Sequence, residues 1–354
     1  MSDVFLSTLG VEHPIIQAPM GGANASPPAL VAAAGNAGGL GFVGAAYMSP
    51  EQIAREAKQI RELTSRPFGI NLFVPVEHSP PSSIDRAIAQ LASYHAELGL
   101  PAPVAPTLPS YTFDDQLDAT LASGARVFSF TFGLLATDTI RAIRQRGIYV
   151  IGTATTVEEA VLHEQTGVDA VAVQGSEAGA HRGTFATSFE SAMIGTMALV
   201  PQACRAVRIP VIAAGGIMNG DGIAAALRLG ASAAMLGTAF LVTDECGVAE
   251  SYKRAILSTP ENATRVTRAF SGRPARGIIN RALDEIERAE ATHPGTILPY
   301  PYQNSLTRPM RTAAAQQDRA EYLSLWCGQG ARLARRMPAA LLMETLVGEL
   351  ARAR

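Results

Sequence analysis

The chain has 354 residues, of which 47% are hydrophobic and 17% charged, so it can bury one large core or a core with a small appendage. Its 29 Lys and Arg residues nearly balance its 31 Asp and Glu residues, and no basic stripe is interleaved with aromatic residues, which argues against nucleic acid as a partner. The amino-terminal residues lack the basic flank and apolar core of a signal peptide, and no apolar run reaches the roughly 20 residues that a spanning helix needs. We therefore expect a cytoplasmic protein with no membrane partner.

Short apolar runs alternate with helical patterns along the chain, which is typical of a parallel sheet with crossover helices. The predicted strands are residues 15–18, 41–44, 68–73, 126–130, 149–152, 170–174, 211–214 and 233–236. Helices are predicted at 27–37, 50–64, 138–146, 157–166, 195–206 and 220–229. Eight such units describe a (β/α)8 TIM barrel.

Two segments exceed the barrel plan. Residues 74–123 form a Pro- and Ser-rich insertion after strand three, with a helix predicted at 83–98 and the third crossover helix at 113–122. We expect the barrel core to span residues 1–251, a small and mainly helical cap to span 252–337, and a terminal helix in 338–354 to pack back on the barrel.

Metal chemistry is not expected from the sequence. The cysteines and histidines are scattered, and none stands at metal-ligand spacing: Cys204, Cys246, Cys327, His13, His78, His95, His163, His181 and His293. We predict reduced thiols and no bound metal.

The segment 174–183 follows the predicted sixth strand and carries groups suited to chemistry. Small residues such as Gly179 let a planar ligand approach the backbone, while Gln174 and His181 add an amide and a titratable imidazole. In a TIM barrel, such strand ends converge on one face; Met20 follows strand one, and Asn71 is a polar residue within the buried run of strand three. Met20 fits an ordinary turn or a ligand contact, and Asn71 fits a structural hydrogen bond or a ligand contact.

The ends of strands seven and eight predict a phosphate site. Gly216 and Gly237 each precede a possible helix start, and Thr238 adds a hydroxyl donor. In many barrels, the loops after these two strands bind phosphate through backbone N–H groups. The alternative is a pair of ordinary tight turns.

Residues 16–20, Asn71, 174–183, 213–217 and 236–238 together resemble the FMN-dependent nitronate monooxygenases, formerly called 2-nitropropane dioxygenases, and more closely their class I. The likeness extends over nearly the whole chain, including residues 298–307 and 321–326. One departure is Ala180, where the family often has a second glycine before the histidine. This departure matters if the position requires a positive φ.

The resemblance implies an FMN in the barrel mouth. Its phosphate would lie on Gly216, Gly237 and Thr238, and its ring would lie against Met20, Asn71, Gln174 and Gly179, with backbone contacts from Met235 and Leu236. His181 matches the active-site histidine of the family. The implied reaction is oxidation of an alkyl nitronate by O2 to an aldehyde or ketone plus nitrite, with propionate 3-nitronate among the candidate substrates and nitroalkanes as weaker ones.

Several roles stay open from the sequence. A protonated His181 would stabilise negative charge on the nitronate or flavin, whereas a neutral His181 would act as general base on a nitroalkane. Glu177 and Arg182 are expected to form an ion pair that shapes the turn. Three residues of the cap either reach the substrate or only pack on the barrel: Tyr300, Tyr302 and Gln303.

Rival functions are an NADH-dependent FMN reductase of enoyl thioesters or quinones, a flavin-free phosphate-binding lyase or isomerase, and a non-catalytic flavin carrier. The expected partners are a small-molecule nitronate and O2, and the chain is expected to be a monomer or homodimer.

Overall fold

A computed structural model of the protein describes residues 2–76 and 79–353. In chain order the strands are β1 (Ile15–Gln17), β2 (Leu40–Gly44), β3 (Phe68–Phe73), β4 (Val127–Thr131), β5 (Tyr149–Ala154), β6 (Ala170–Gln174), β7 (Ala180–His181), β8 (Val211–Ala214), β9 (Ala233–Leu236), β10 (Thr264–Thr267) and β11 (Ala275–Ile278). The α-helices are α1 (Ser2–Leu9), α2 (Pro28–Asn36), α3 (Pro50–Leu63), α4 (Asp85–Glu97), α5 (Phe113–Ala122), α6 (Thr137–Gln145), α7 (Val157–Thr166), α8 (Thr196–Ala206), α9 (Gly220–Arg228), α10 (Thr238–Leu241), α11 (Glu250–Ser258), α12 (Arg281–Thr292), α13 (Tyr302–Gln316) and α14 (Ala339–Ala353).

Parallel strands close into one barrel in the order β1-β2-β3-β4-β5-β6-β8-β9. The last strand pairs back onto the first, with Ile16 opposite Met235. The predicted (β/α)8 barrel is thus confirmed. Predicted strand ends agree with the observed ones to within two residues, because runs of Val, Ile and Ala buried on both faces stand out from their polar surroundings.

The interior of the barrel is closed at its amino-terminal end by α1, a helix that the sequence interpretation missed. Phe5 and Leu9 of α1 are buried and belong to the same apolar cluster as Ile16, Phe42 and Met235 of the barrel interior. The ring of Phe5 also lies 6.0 Å from that of Tyr149. Since side chains fill the barrel from this end, ligand space is left at the carboxyl ends of the strands.

Helices α4 and α5 make up the insertion between β3 and β4. Helix α5 has the predicted bounds, and its Thr112 N-cap and Asp115 form a reciprocal capping box. Helix α4 contacts α12 through an ion pair in which Arg281 donates to Glu97 at 2.8 Å. The insertion therefore joins the cap as well as the barrel.

The cap contains α11, α12 and α13 and also the β10–β11 hairpin, which the sequence interpretation did not include. Strand β7 extends this hairpin into a three-stranded antiparallel sheet, with His181 opposite Ala275. This pairing fixes the backbone of His181 to the cap.

Helix α14 returns to the barrel, where the Glu349 carboxylate accepts a hydrogen bond from the Gly220 N–H at 2.8 Å. Within residues 2–76 and 79–353, no helix is both long and apolar enough to cross a membrane.

Candidate active site

A cavity of about 720 Å³ lies at the carboxyl ends of the barrel strands, beneath the cap. Its walls come from the ends of β1, β3, β6, β8 and β9, from the first turns of α3, and from one face of α13. Cofactor and ligand sites commonly have volumes of roughly 300–1,000 Å³, so this cavity is large enough for a nucleotide-sized ligand.

Most residues singled out from the sequence meet in this cavity. Those that line it are Met20, Asn71, Gln174, Gly179, His181, Gly216, Met235, Gly237 and Thr238. Leu236 is buried beneath the wall, and its carbonyl accepts a hydrogen bond from the Ala18 N–H at 2.9 Å.

Aromatic rings surround the imidazole of His181. The ring centroids of Phe132 and Trp326 lie 5.8 Å away, that of Phe73 lies 5.9 Å away, and that of Tyr300 lies 6.1 Å away. The Nε2 atom of His181 is buried and has no hydrogen-bond partner in the part of the chain that the structure describes. The histidine therefore lies in an enclosure that excludes water on several sides.

This enclosure keeps the imidazole neutral. Burial and, to a smaller extent, the positive charges of Arg273 and Arg311 lower the pKa of His181 to about 3. The guanidinium of Arg273 lies 3.8 Å from the centroid of the Phe132 ring, and the same ring packs edge to face with His181, so a cation is held near the histidine. At neutral pH His181 is therefore unprotonated.

Gln174 has a structural task besides lining the cavity. Its Nε2 donates to the carbonyl of His181 at 2.9 Å, and its Oε1 accepts from the Gly183 N–H at 2.9 Å. One side-chain amide therefore fixes the backbone on both sides of the histidine. The Nδ2 of Asn71 similarly donates to Ser129 at 2.8 Å, within the wall formed by β3 and β4.

The predicted ion pair between Glu177 and Arg182 is wrong. The carboxylate of Glu177 instead accepts hydrogen bonds from the backbone N–H and the hydroxyl of Thr196, at 2.9 and 2.8 Å, where α8 begins. Arg182 is 1% exposed and donates to the carbonyls of Gly175, Gln174 and Ala192. Each charge has a nearer partner than the other: the amino terminus of α8 binds the Glu177 carboxylate, and backbone carbonyls bind the Arg182 guanidinium.

Two residues beside the histidine have an unusual backbone. Ala180 has φ +61° and Phe132 has φ +84°, both in the left-handed region that disfavours residues with a Cβ. The alanine at position 180, where the family often has glycine, therefore carries a conformational cost, because a glycine would adopt this conformation without strain. Strained backbone at both neighbours of His181 is typical of a functional site.

The opposite end of the cavity consists of glycine turns. Gly216 has φ +72°, and Gly237 begins the short helix α10. Gly328 and Gly330 of the cap also line this end, and the Gly328 N–H donates to the Thr238 hydroxyl at 2.9 Å. Because this hydroxyl accepts from Gly328, its own proton remains available for a ligand oxygen.

The residues predicted in the proline-tyrosine loop do not line the cavity. Tyr300 packs behind His181, and Tyr302 packs against the apolar core. Gln303 is 1% exposed, and its amide bonds the Leu298 N–H at 3.0 Å and the Ala269 carbonyl at 2.7 Å. Gln303 is thus a structural residue of the cap.

Several lining residues were missed by the sequence interpretation. Tyr47 follows β2, while Arg308 and Arg311 lie on α13, one turn apart. Tyr47 could have been predicted from the sequence, because it lies just after a barrel strand. The two arginines could not, because tertiary packing of the cap brings them to the site. Among the residues that the structure describes, no group of three or more His, Cys, Asp or Glu side chains could hold a metal ion, and His78 lies outside them.

Comparisons with known proteins identify the family of the chain. The chain is 42% identical over 342 residues to a probable nitronate monooxygenase of Staphylococcus saprophyticus, covering 96% of this chain and 95% of that protein. A probable nitronate monooxygenase of Staphylococcus aureus is also 42% identical, with 97% and 95% coverage.

Among solved structures, nitroalkane oxidase from Streptomyces ansochromogenes is 43% identical, with a TM-score of 0.88 and 99% coverage of both chains. FabK from Thermotoga maritima is 29% identical, with a TM-score of 0.76 and coverage of 99% and 96%. The family model described as nitronate monooxygenase matches residues 3–349. The chain therefore belongs to the nitronate monooxygenase family.

Proposed function

We propose that this protein oxidises small alkyl nitronates with O2, using an FMN in the described cavity, and releases an aldehyde or ketone plus nitrite. Propionate 3-nitronate is one candidate substrate, and nitroalkanes are expected to be weaker ones. The observation that carries the proposal is the neutral, aromatic-enclosed His181 in the wall of a glycine-lined cavity, in a chain of this family.

The cavity residues fit a flavin nucleotide. A Cβ built on Gly237 would have only the Ala18 Cβ, at 3.8 Å, within 4 Å, and this glycine does not have a positive φ. Neither packing nor backbone conformation explains the glycine, whereas a ligand that approaches the backbone does. Gly216 and Thr238 complete a set of backbone and hydroxyl donors suited to a phosphate.

The remaining cofactor contacts are assigned from the same wall. Met20, Asn71, Gly179 and Met235 would contact the flavin ring, with backbone contacts from Leu236. Gln174 would lie beside the ring, although both ends of its amide already bond backbone groups. When bound, FMN supplies the redox chemistry, and the protein supplies binding, orientation and electrostatics.

The neutral state of His181 favours nitronates over nitroalkanes. A nitroalkane must lose a proton from carbon, and a histidine with a pKa of about 3 is a weak base for that step. A nitronate has already lost this proton. Arg308 and Arg311 in the wall provide positive charge that attracts the anion, and a bound anion would raise the pKa of His181.

The test compares a nitronate with its parent nitroalkane in the wild type and in His181→Asn. We expect the variant to lose nitroalkane oxidation but to keep much of its nitronate turnover, because only the nitroalkane needs a base. His293→Asn, at an exposed site, is the matched control and should leave both rates unchanged. Equal loss of both activities in His181→Asn would contradict this assignment of the base.

A further inference from the structure

A second polar group in the cavity has no partner among the described residues. Tyr47 lines the cavity, and its buried hydroxyl forms no hydrogen bond within residues 2–76 and 79–353. Buried polar atoms in folded proteins nearly always have a partner, so an unpaired hydroxyl in a ligand cavity indicates a group that a ligand satisfies.

Tyr47 and His181 flank the same side chain. The ring of Phe73 lies 5.7 Å from Tyr47 and 5.9 Å from His181, edge to face in both pairs. On its other side, Tyr47 packs near the turn after β1, where Cβ atoms built on Gly21 and Gly22 would lie 3.8 Å from its ring. The hydroxyl therefore belongs to the part of the cavity between that turn and the histidine.

The surroundings keep this hydroxyl protonated. Burial raises the pKa of Tyr47, and the neighbouring phenol of Tyr300 and three arginines oppose this only in part. One of these, Arg308, lies 5.8 Å from the centroid of the Tyr47 ring. Tyr300 lowers the pKa of Tyr47, as a neighbour that donates towards the Tyr47 oxygen does, and no atom of the described residues accepts the Tyr47 proton, which is free for a ligand.

We infer that the Tyr47 hydroxyl donates a hydrogen bond to one oxygen of the substrate's nitronate or nitro group, and is a further catalytic residue beside His181. This inference rests on the proposed function. A neutral imidazole has only one N–H to offer, whereas a nitronate presents two oxygens. An anionic oxygen placed in an aromatic enclosure without a donor would be costly to bury, and the hydroxyl removes that cost.

Tyr47→Phe tests the contact because it keeps the ring and removes only the hydroxyl. We expect kcat/KM for propyl-1-nitronate to fall about 10- to 100-fold, as for loss of a hydrogen bond to a charged group. Nitrite, whose two oxygens on nitrogen mimic those of the substrate, should bind more weakly by a similar factor in calorimetry. The affinity for FMN and the thermal midpoint should stay close to the wild-type values.

Tyr149→Phe is the matched control, since its hydroxyl donates to the Asp169 carbonyl at 3.1 Å on the other side of the barrel. It should leave nitronate turnover and nitrite affinity unchanged. If Tyr47→Phe keeps the wild-type kcat/KM for the nitronate and the wild-type affinity for nitrite, the proposed hydrogen bond is refuted while the proposed function stands. A tenfold loss of FMN affinity would assign the hydroxyl to the cofactor and also overturn it. A wild-type protein without nitronate turnover would overturn the proposed function, and this contact with it.

Discussion

The substitution Gly237→Ala tests whether a ligand or the packing of the protein requires glycine at position 237. The added methyl group would have one neighbour within 4 Å, the Ala18 Cβ at 3.8 Å, which is an ordinary van der Waals contact. Because alanine also restricts the unfolded chain, we expect the cofactor-free variant to be as stable as the wild type or more stable by about 0.4–1 kcal/mol. The methyl group would nevertheless occupy space that the proposed phosphate needs, so FMN affinity should fall at least about tenfold, or about 1.4 kcal/mol.

Two measurements decide the outcome: urea unfolding of the cofactor-free protein, and fluorescence titration with FMN. Gly41→Ala is the contrasting control, because its Cβ would meet the Val31 carbonyl oxygen at 2.3 Å. This control should be destabilised, by about 1–3 kcal/mol for an overpacked site. Unchanged FMN affinity in Gly237→Ala would refute the ligand assignment, and marked destabilisation of its cofactor-free form would show that packing explains the glycine.

Three further changes test a left-handed residue beside His181 and two buried polar groups of the barrel. Ala180→Gly should raise the free energy of unfolding by up to about 1 kcal/mol, since it relieves a left-handed residue, and a lower urea midpoint would contradict this. Glu159→Gln should destabilise the protein by about 3 kcal/mol in urea unfolding. The buried carboxylate accepts four hydrogen bonds from Thr155, Phe185 and Ala186, and a neutral amide cannot accept all of them. A change below about 1 kcal/mol would contradict this role. Burial lowers the pKa of His163 to about 4, so the unfolded state binds a proton that the folded state does not, and stability falls as pH drops from 6.5 towards 4. In His163→Gln, the loss of stability between pH 7 and pH 5 should be about 2 kcal/mol smaller than in the wild type, and an unchanged pH dependence would contradict this.

Much of the barrel could be predicted because its signals are local. Runs such as residues 170–174 are apolar throughout and end at polar or glycine residues, which defines buried parallel strands. The β10–β11 hairpin lacks such a run: Thr264–Thr267 is polar and half-exposed, so its pairing depends on contacts with distant parts of the chain. Helix α1 was missed for a related reason, since its apolar face is recognisable only once the barrel end it closes is known.

The candidate site likewise contains residues that local sequence signals could locate and residues whose contacts depend on distant parts of the chain. Residues at strand ends, such as Asn71 and Gly237, could be located from the sequence because a TIM barrel brings these ends together. The partners of Glu177 and Gln303 could not, because backbone groups far along the chain satisfy each side chain. The lowered pKa of His181 likewise arises from burial among aromatic rings of separate segments and from two arginines far along the chain, which the sequence alone does not bring together.

Oxygen uptake by the purified wild-type protein tests the central claim most directly. With FMN bound, we expect rapid O2 consumption on addition of propyl-1-nitronate, slower consumption with 1-nitropropane, and formation of nitrite and propanal. NADH added without oxygen should leave the flavin spectrum unchanged. Bleaching of the flavin by NADH, together with no oxygen uptake with any nitronate, would contradict the proposed function and favour a reductase.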